Sequence, residues 1–205
     1  ASGIEHWVGV DTVADLAGNA MAYDEASFDF VAVMTLAFQD GVAPTPAYDG
    51  TADTTLSQNS PAANYGLATA LLVDGDDPGG SGNDKSILLA WDLSAIPAGA
   101  IVEAATITLQ VENPSGNIYP AYQVLRDWYE VEATWQDYGG GLPWSTAGAS
   151  GAGDRGTTVV AELAGSSVGG LEVPLNAMGI ALVQDWLSAP LQAMPAPDGC
   201  TAMLS

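Results

Sequence analysis

The run Ile87-Leu88-Leu89-Ala90-Trp91-Asp92-Leu93-Ser94-Ala95-Ile96-Pro97-Ala98-Gly99-Ala100 decides how this chain folds. A short apolar run, of strand length, meets Asp and Ser, and then a Pro-Gly turn. The same grammar extends in both directions. Upstream lie Asp53-Thr54-Thr55-Leu56, the loop motif Asn64-Tyr65-Gly66 and the apolar Leu71-Leu72-Val73. Downstream come Ala104-Ala105-Thr106-Ile107-Thr108-Leu109 and Ala133-Thr134-Trp135. Short β-type runs separated by Gly, Pro, Asn and Asp predict an all-β protein, a jelly-roll-like antiparallel β-sandwich.

The elements are read from alternation and punctuation. Strands are expected at Thr51–Ser57, Ala68–Val73, Ser86–Leu93, Ile101–Glu112, Ile118–Arg126, Thr157–Leu163 and Gly170–Leu175. In Ile101–Glu112 the residues Ile107, Leu109 and Val111 share one face. Near the start, Trp7–Val10 reads as a short strand, and Asp11–Ala22 as a helical turn or two with Asp11 as N-cap. Phe28, Phe30, Met34, Leu36 and Phe38 fall on one parity, which predicts a long strand over Ser27–Phe38. One short helix is expected near the C-terminus, over Asn176–Leu187, with Asn176 as N-cap and a stripe of Met178, Leu182, Val183 and Trp186. Pro190 stops it, and Gly199–Ser205 opens a last strand.

Composition narrows the function classes. Hydrophobic residues make up 48% of 205, enough for a sizeable core. Twenty-five acidic residues face only Lys85, Arg126 and Arg155, for a net charge of −22. Such a surface repels phosphate backbones and polyanionic glycans, so nucleic acid is not an expected partner. Cys200 is the only cysteine and His6 the only histidine. Intrachain disulfides, CxxC redox chemistry and His-dependent triads are thereby excluded within these 205 residues. No apolar run has the length of a membrane span. Abundant Gly, Thr and Asp with little Lys or Cys suit a secreted or surface protein.

With these residues in view, Thr35–Leu187 resembles the DNRLRE family, a set of disaggregatase-related, carbohydrate-binding-module-like domains. The resemblance rests first on Leu88–Ala100, which is similar to the family's "LLRFDLSSIPAGA" segment. It rests further on Leu36-Ala37-Phe38-Gln39-Asp40-Gly41, Asp53–Leu56, Asn64-Tyr65-Gly66 and Trp128. Ala133-Thr134-Trp135, the Gly-rich Trp144–Asp154 and Leu182-Val183-Gln184-Asp185-Trp186-Leu187 complete it. Two departures stand out: Ala90 replaces a usual basic residue, and the family continues past the final helix into closing strands. The resemblance implies a jelly-roll-like sandwich, secreted or attached to a cell surface. Polysaccharide binding is implied for some members, and adhesive or structural roles for others. The expected organisation is an N-terminal extension or remnant over 1–30 and a sandwich over 31–205 that lacks one or more closing strands.

Candidate sites follow from side-chain chemistry. Aromatic faces suit the C–H faces of pyranose rings. Tyr129, Trp135, Tyr138 and Trp144 lie in the most loop-like region and are the candidate ligand contacts, while Trp91, Trp128 and Trp186 read as core. Asp74, Asp76, Asp77 and Asp84 make an oxygen-rich loop of the kind calcium takes, although no cofactor is required by the sequence. Asp40, Asp49 and Asp53 form a looser second acidic group. Glu130 and Glu132, flanked by Asp127 and Asp137, are the carboxylates a glycosidase would need, yet 25 acidic residues make some such pair inevitable.

The leading expectation is therefore a non-catalytic extracellular module for adhesion or polysaccharide binding. The alternative is a structural subunit of a filament or sheath. There, a neighbour's N-terminal extension, with Phe28 and Phe30 at its inter-subunit strand, would add to an open sheet edge and build a homopolymer.

Overall fold

The computed structural model describes residues 6–9, 25–28, 33–75, 80–188 and 200–204. The chain divides into two compact units, Ala1–Leu36 and Ala37–Ser205. In the first, β1 (His6–Gly9) pairs antiparallel with β2 (Glu25–Phe28), His6 opposite Phe28 and Gly9 opposite Glu25. The strand expected over Ser27–Phe38 is thus cut short. β2 ends at Phe28, residues 33–38 are not strand, and Val33 and Met34 are exposed. Alternation alone does not hold a strand, because its backbone groups also need a partner. Phe30 and the turn expected over Asp11–Ala22 lie outside the described residues.

The second unit is the sandwich. It contains β3 (Thr51–Ser57), β4 (Lys85–Trp91), β5 (Thr106–Val111), β6 (Tyr119–Val124), β7 (Asp137–Gly139), β8 (Leu142–Pro143), β9 (Arg155–Leu163), β10 (Gly169–Pro174), α1 (Ala177–Ser188) and β11 (Cys200–Leu204). Five strands form the main sheet in the order β3-β4-β11-β6-β9, every neighbouring pair antiparallel. β11 occupies the middle of this sheet, with Cys200 opposite Trp91 and Met203 opposite both Leu88 and Tyr122.

Two cores lie on opposite faces of the main sheet, as period-two strands dictate. On one face, Ile87, Leu89, Tyr119, Ala121, Ala161 and Leu163 meet Ile107, Leu109, Leu171 and Val173 of the two-stranded β5–β10 sheet. On the other, Ala52, Leu56, Leu88, Ala90 and Val124 meet the loop residues Trp128, Ala133, Trp144 and Ala149. β4 therefore reads as a continuous apolar run because both its faces are covered. β5 alternates cleanly because only Ile107, Leu109 and Val111 point inward.

Two expected strands fail or shorten for lack of a partner. Residues 68–73 are not strand, although Leu71 and Val73 pack on the core and the Leu72 N–H donates to Thr55 Oγ1 at 3.0 Å. Residues 101–105 precede β5 without joining it. Gln184 of α1 holds them instead, its Oε1 accepting from Val102 N at 2.9 Å and its Nε2 donating to Ala100 O at 3.2 Å. The Pro-Gly turn and the helix thus meet through one glutamine.

The helix begins where its N-cap places it. Asn176 Oδ1 accepts from Met178 N at 2.9 Å and Gly179 N at 3.1 Å, giving two of the otherwise unpaired first-turn donors an acceptor. The expected apolar stripe is corrected at Met178, which is 56% exposed. Gly179 makes the approach to β9 instead: a Cβ there would lie 2.6 Å from Val160 O. Only glycine allows the helix this near the strand.

Candidate functional site

The loop layer covering the Trp128 face is assembled by short polar motifs. Asn64 Nδ2 donates to Glu130 O at 2.7 Å and Ala133 O at 2.8 Å, while Asn64 Oδ1 accepts from Gly66 N at 3.2 Å. Gly66 packs so closely on Glu130 that a Cβ would lie 2.1 Å from its carbonyl oxygen. The Asn-Tyr-Gly motif is thus a staple between the 58–67 and 129–136 loops, joined further by Gln136 N donating to Pro61 O at 3.2 Å.

Ala133-Thr134-Trp135 is the centre of the layer. Thr134 Oγ1 accepts from Gln136 N at 3.2 Å and Asp137 N at 3.0 Å, and Thr134 O accepts from Trp144 Nε1 at 2.9 Å. The Gly-rich 144–154 segment is held by one carboxylate. Asp154 is fully buried and accepts from Ser145 N at 2.8 Å, Ser145 Oγ at 2.7 Å, Thr146 N at 2.9 Å and Gly151 N at 3.2 Å. Arg126 Nε lies 3.5 Å from Asp154 Oδ1. Burial pushes the Asp154 carboxyl up, but the hydrogen bonds from Ser145, Thr146 and Gly151 outweigh it and leave it below its ordinary value. Sequence reading gave Asp154 no role, and an Asp closing a Gly-Ala-Gly run was its only signal.

The four candidate aromatic contacts have unequal surroundings. Trp144 is 4% exposed and belongs to the core. Tyr138 lies between Trp144, ring centroids 5.6 Å apart, and the Arg126 guanidinium, 5.6 Å from its ring centre. Tyr129 rests on Gly139, where a Cβ would meet its Cδ2 at 2.2 Å, and Trp135 rests on Gly148, where a Cβ would lie 2.5 Å from the indole. Both rings stay partly exposed. Each ring packs closely on a backbone that carries no side chain. Of the aromatics read as core, Trp128 is buried, while Trp91 and Trp186 are partly exposed.

The acidic candidates are dispersed or already engaged. Asp74 pairs with Lys85, Oδ2 to Nζ at 3.5 Å, and shares a backbone bridge with it. Asp84 N donates to Gln58 Oε1 at 3.1 Å, and Asp76 and Asp77 lie outside the described residues. Among the described residues no group of three or more His, Cys, Asp or Glu is arranged to hold a metal ion. Of the second acidic group, Asp49 is exposed, while Asp40 and Asp53 lie along the outer edge of β3. There, Asp40 Oδ1 accepts from Thr51 N at 2.9 Å and Glu130 Oε1 from Asp53 N at 3.0 Å. Burial first, then Glu130, then Asp40 push the Asp53 carboxyl above its ordinary value. Glu132 accepts from Gly140 N. Glu130 and Glu132 therefore hold backbone in place, and the other flanking acid, Asp127, is exposed.

Among the described residues no helix is long and apolar enough to cross a membrane. Residues 44–138 match carbohydrate-binding module family 96. The matched stretch runs from just before β3 into β7 and includes the Asn64 staple, Tyr129, Trp135 and Tyr138. Comparison with curated proteins found no match.

Proposed function

We propose that this protein is a non-catalytic polysaccharide-binding module, working outside the cell or on its surface, that holds its ligand through the part-exposed rings of Tyr129 and Trp135. The match of residues 44–138 to a carbohydrate-binding family carries the reading. The brace under each ring supports the choice of residues. An aromatic ring fixed on backbone loses little entropy when a sugar ring stacks on it, and so keeps most of the contact energy. The charge of −22 disfavours polyanionic glycans, because uronates or sulfates would meet net repulsion, and it leaves neutral polysaccharides as the favoured ligands.

Adhesion follows from the same chemistry where the polysaccharide belongs to a neighbouring cell or matrix. Retardation in native gels containing a neutral glucan, xylan or mannan, with no retardation by alginate, is the expected result. Equal mobility in every gel would refute the proposal. Repeating the gels with added calcium and with a chelator tests the acidic loop at the same time.

A further inference from the structure

A single turn of chain carries both the Tyr129 ring and the Glu132 carboxylate to the β7–β8 hairpin. Tyr129 O accepts from Glu132 N at 3.0 Å and from Ala133 N at 2.7 Å, and Tyr129 N donates to Tyr138 O at 3.0 Å. The ring packs on Gly139, where a Cβ would meet its Cδ2 at 2.2 Å. Glu132 Oε2 accepts from Gly140 N, the very next N–H along the chain. Ring and carboxylate are therefore seated on adjacent peptide groups of the run Gly139-Gly140-Gly141. A Cβ at Gly140 or Gly141 would meet nothing within 4 Å, so the ground beside the carboxylate is open. Glu132 is exposed, and among the described residues its other oxygen, Oε1, has no hydrogen-bond partner. One oxygen fixes the side chain and the second is left to accept.

We infer that Glu132 Oε1 accepts a hydrogen bond from a hydroxyl of the sugar ring stacked on Tyr129, and so selects an uncharged, hydroxylated ring at that position. The inference rests on the polysaccharide reading and adds a polar contact to its two aromatic ones. Binding sites pair apolar faces with a few placed polar groups that fix orientation. A sugar offers both at once, C–H groups on its face and hydroxyls around its edge. An ionised carboxylate only accepts, and its hydrogen bonds are roughly twice as strong as those between neutral groups. The same charge repels a carboxylate or sulfate carried at that edge of the sugar. The overall charge disfavours polyanions in general, whereas Glu132 acts on one ring of the ligand.

Two substitutions and a charge control test it. Full-length wild type, Glu132→Gln and Glu132→Ala are titrated by calorimetry with the neutral glucan, xylan or mannan that retards wild type most. Melting curves check folding, and hydrogen exchange reads the protection of Gly140 N–H in the free proteins. Glu132→Gln keeps an oxygen for Gly140 N but loses the charge. It should bind about 5- to 10-fold more weakly with Gly140 still protected, and Glu132→Ala about 10- to 100-fold more weakly. Glu172→Gln removes the same charge from an exposed position on β10 and should bind as wild type does. Wild-type affinity in Glu132→Gln overturns the inference, whatever Glu132→Ala does. A loss in Glu132→Gln that comes with lost Gly140 protection, or that Glu172→Gln matches, overturns it too. In these cases wild type still binds and the polysaccharide reading stands. Wild type that binds no polysaccharide overturns both. Should Glu132→Ala fail to fold, Glu132→Gln carries the test.

Discussion

Asn64 and Glu130 join two loops that are far apart in sequence: the Asn64 amide donates to the Glu130 carbonyl at 2.7 Å, and the same amide reaches Ala133 O at 2.8 Å. Asn64→Ala leaves both carbonyls without this donor, Glu130 O in an exposed setting and Ala133 O in a part-buried one. The expected loss is about 1–3 kcal/mol, read as a lower urea midpoint with an unchanged m-value. Gly66→Ala should cost at least as much, because its methyl would overlap Glu130 O.

Asp154 is the anchor of the 144–154 segment. Asp154→Ala removes an acceptor from three backbone N–H groups and a hydroxyl, at about 2 kcal/mol or more near pH 7. Its carboxyl lies below the ordinary value in the folded state. The contribution is therefore complete above the unfolded carboxylate range, about pH 4, and is lost as pH falls through the folded value. Urea titrations from pH 7 to pH 3 should show the gap between wild type and Asp154→Ala narrowing below about pH 4. A gap constant down to pH 3 would contradict this.

Asp53 has the opposite sign. Burial, Glu130 and Asp40 raise its carboxyl in the folded state, so ionisation at neutral pH costs stability. Below the unfolded value the group is protonated in both states and the cost disappears. Asp53→Asn should raise the urea midpoint at pH 7 and change it little at pH 3. A lower midpoint at pH 7 would show that the carboxylate has a favourable partner after all.

Thr54 is fully buried on the Trp128 face, and among the described residues its hydroxyl has no hydrogen-bond partner. Thr54→Val replaces that hydroxyl with a methyl of similar size. The expected change is a gain of about 1 kcal/mol, visible as a higher melting temperature.

What the sequence made legible was whatever depends on local pattern. The apolar Ile87–Trp91 run, the alternation of Ile107, Leu109 and Val111, and the Asn176 cap all predict the structure found at those positions. Features that depend on distant partners were not legible. The parity of Phe28–Phe38 cannot reveal that β2 stops at Phe28, opposite His6, where its antiparallel partner β1 begins. The apolar residues of 68–73 lack a full strand partner, so they pack by side chain while staying outside the sheet. Among the aromatics, Trp144 and Trp135 look alike in a Gly-rich sequence. One has its indole N–H tied to Thr134 O inside the core, while the other rests on Gly148 and stays partly exposed. Only the fold separates them.

The most direct test of polysaccharide binding is titration calorimetry with the neutral polysaccharide that retards wild type most, comparing wild type with Tyr129→Ala and Trp135→Ala. Circular dichroism and melting curves establish that each variant is folded. Removing one ring that buries against a sugar should cost about 1.5–3 kcal/mol, or roughly 10- to 100-fold in affinity. The account predicts that loss in both folded variants, with no sugar released by wild type. Wild-type affinity retained in both would contradict it.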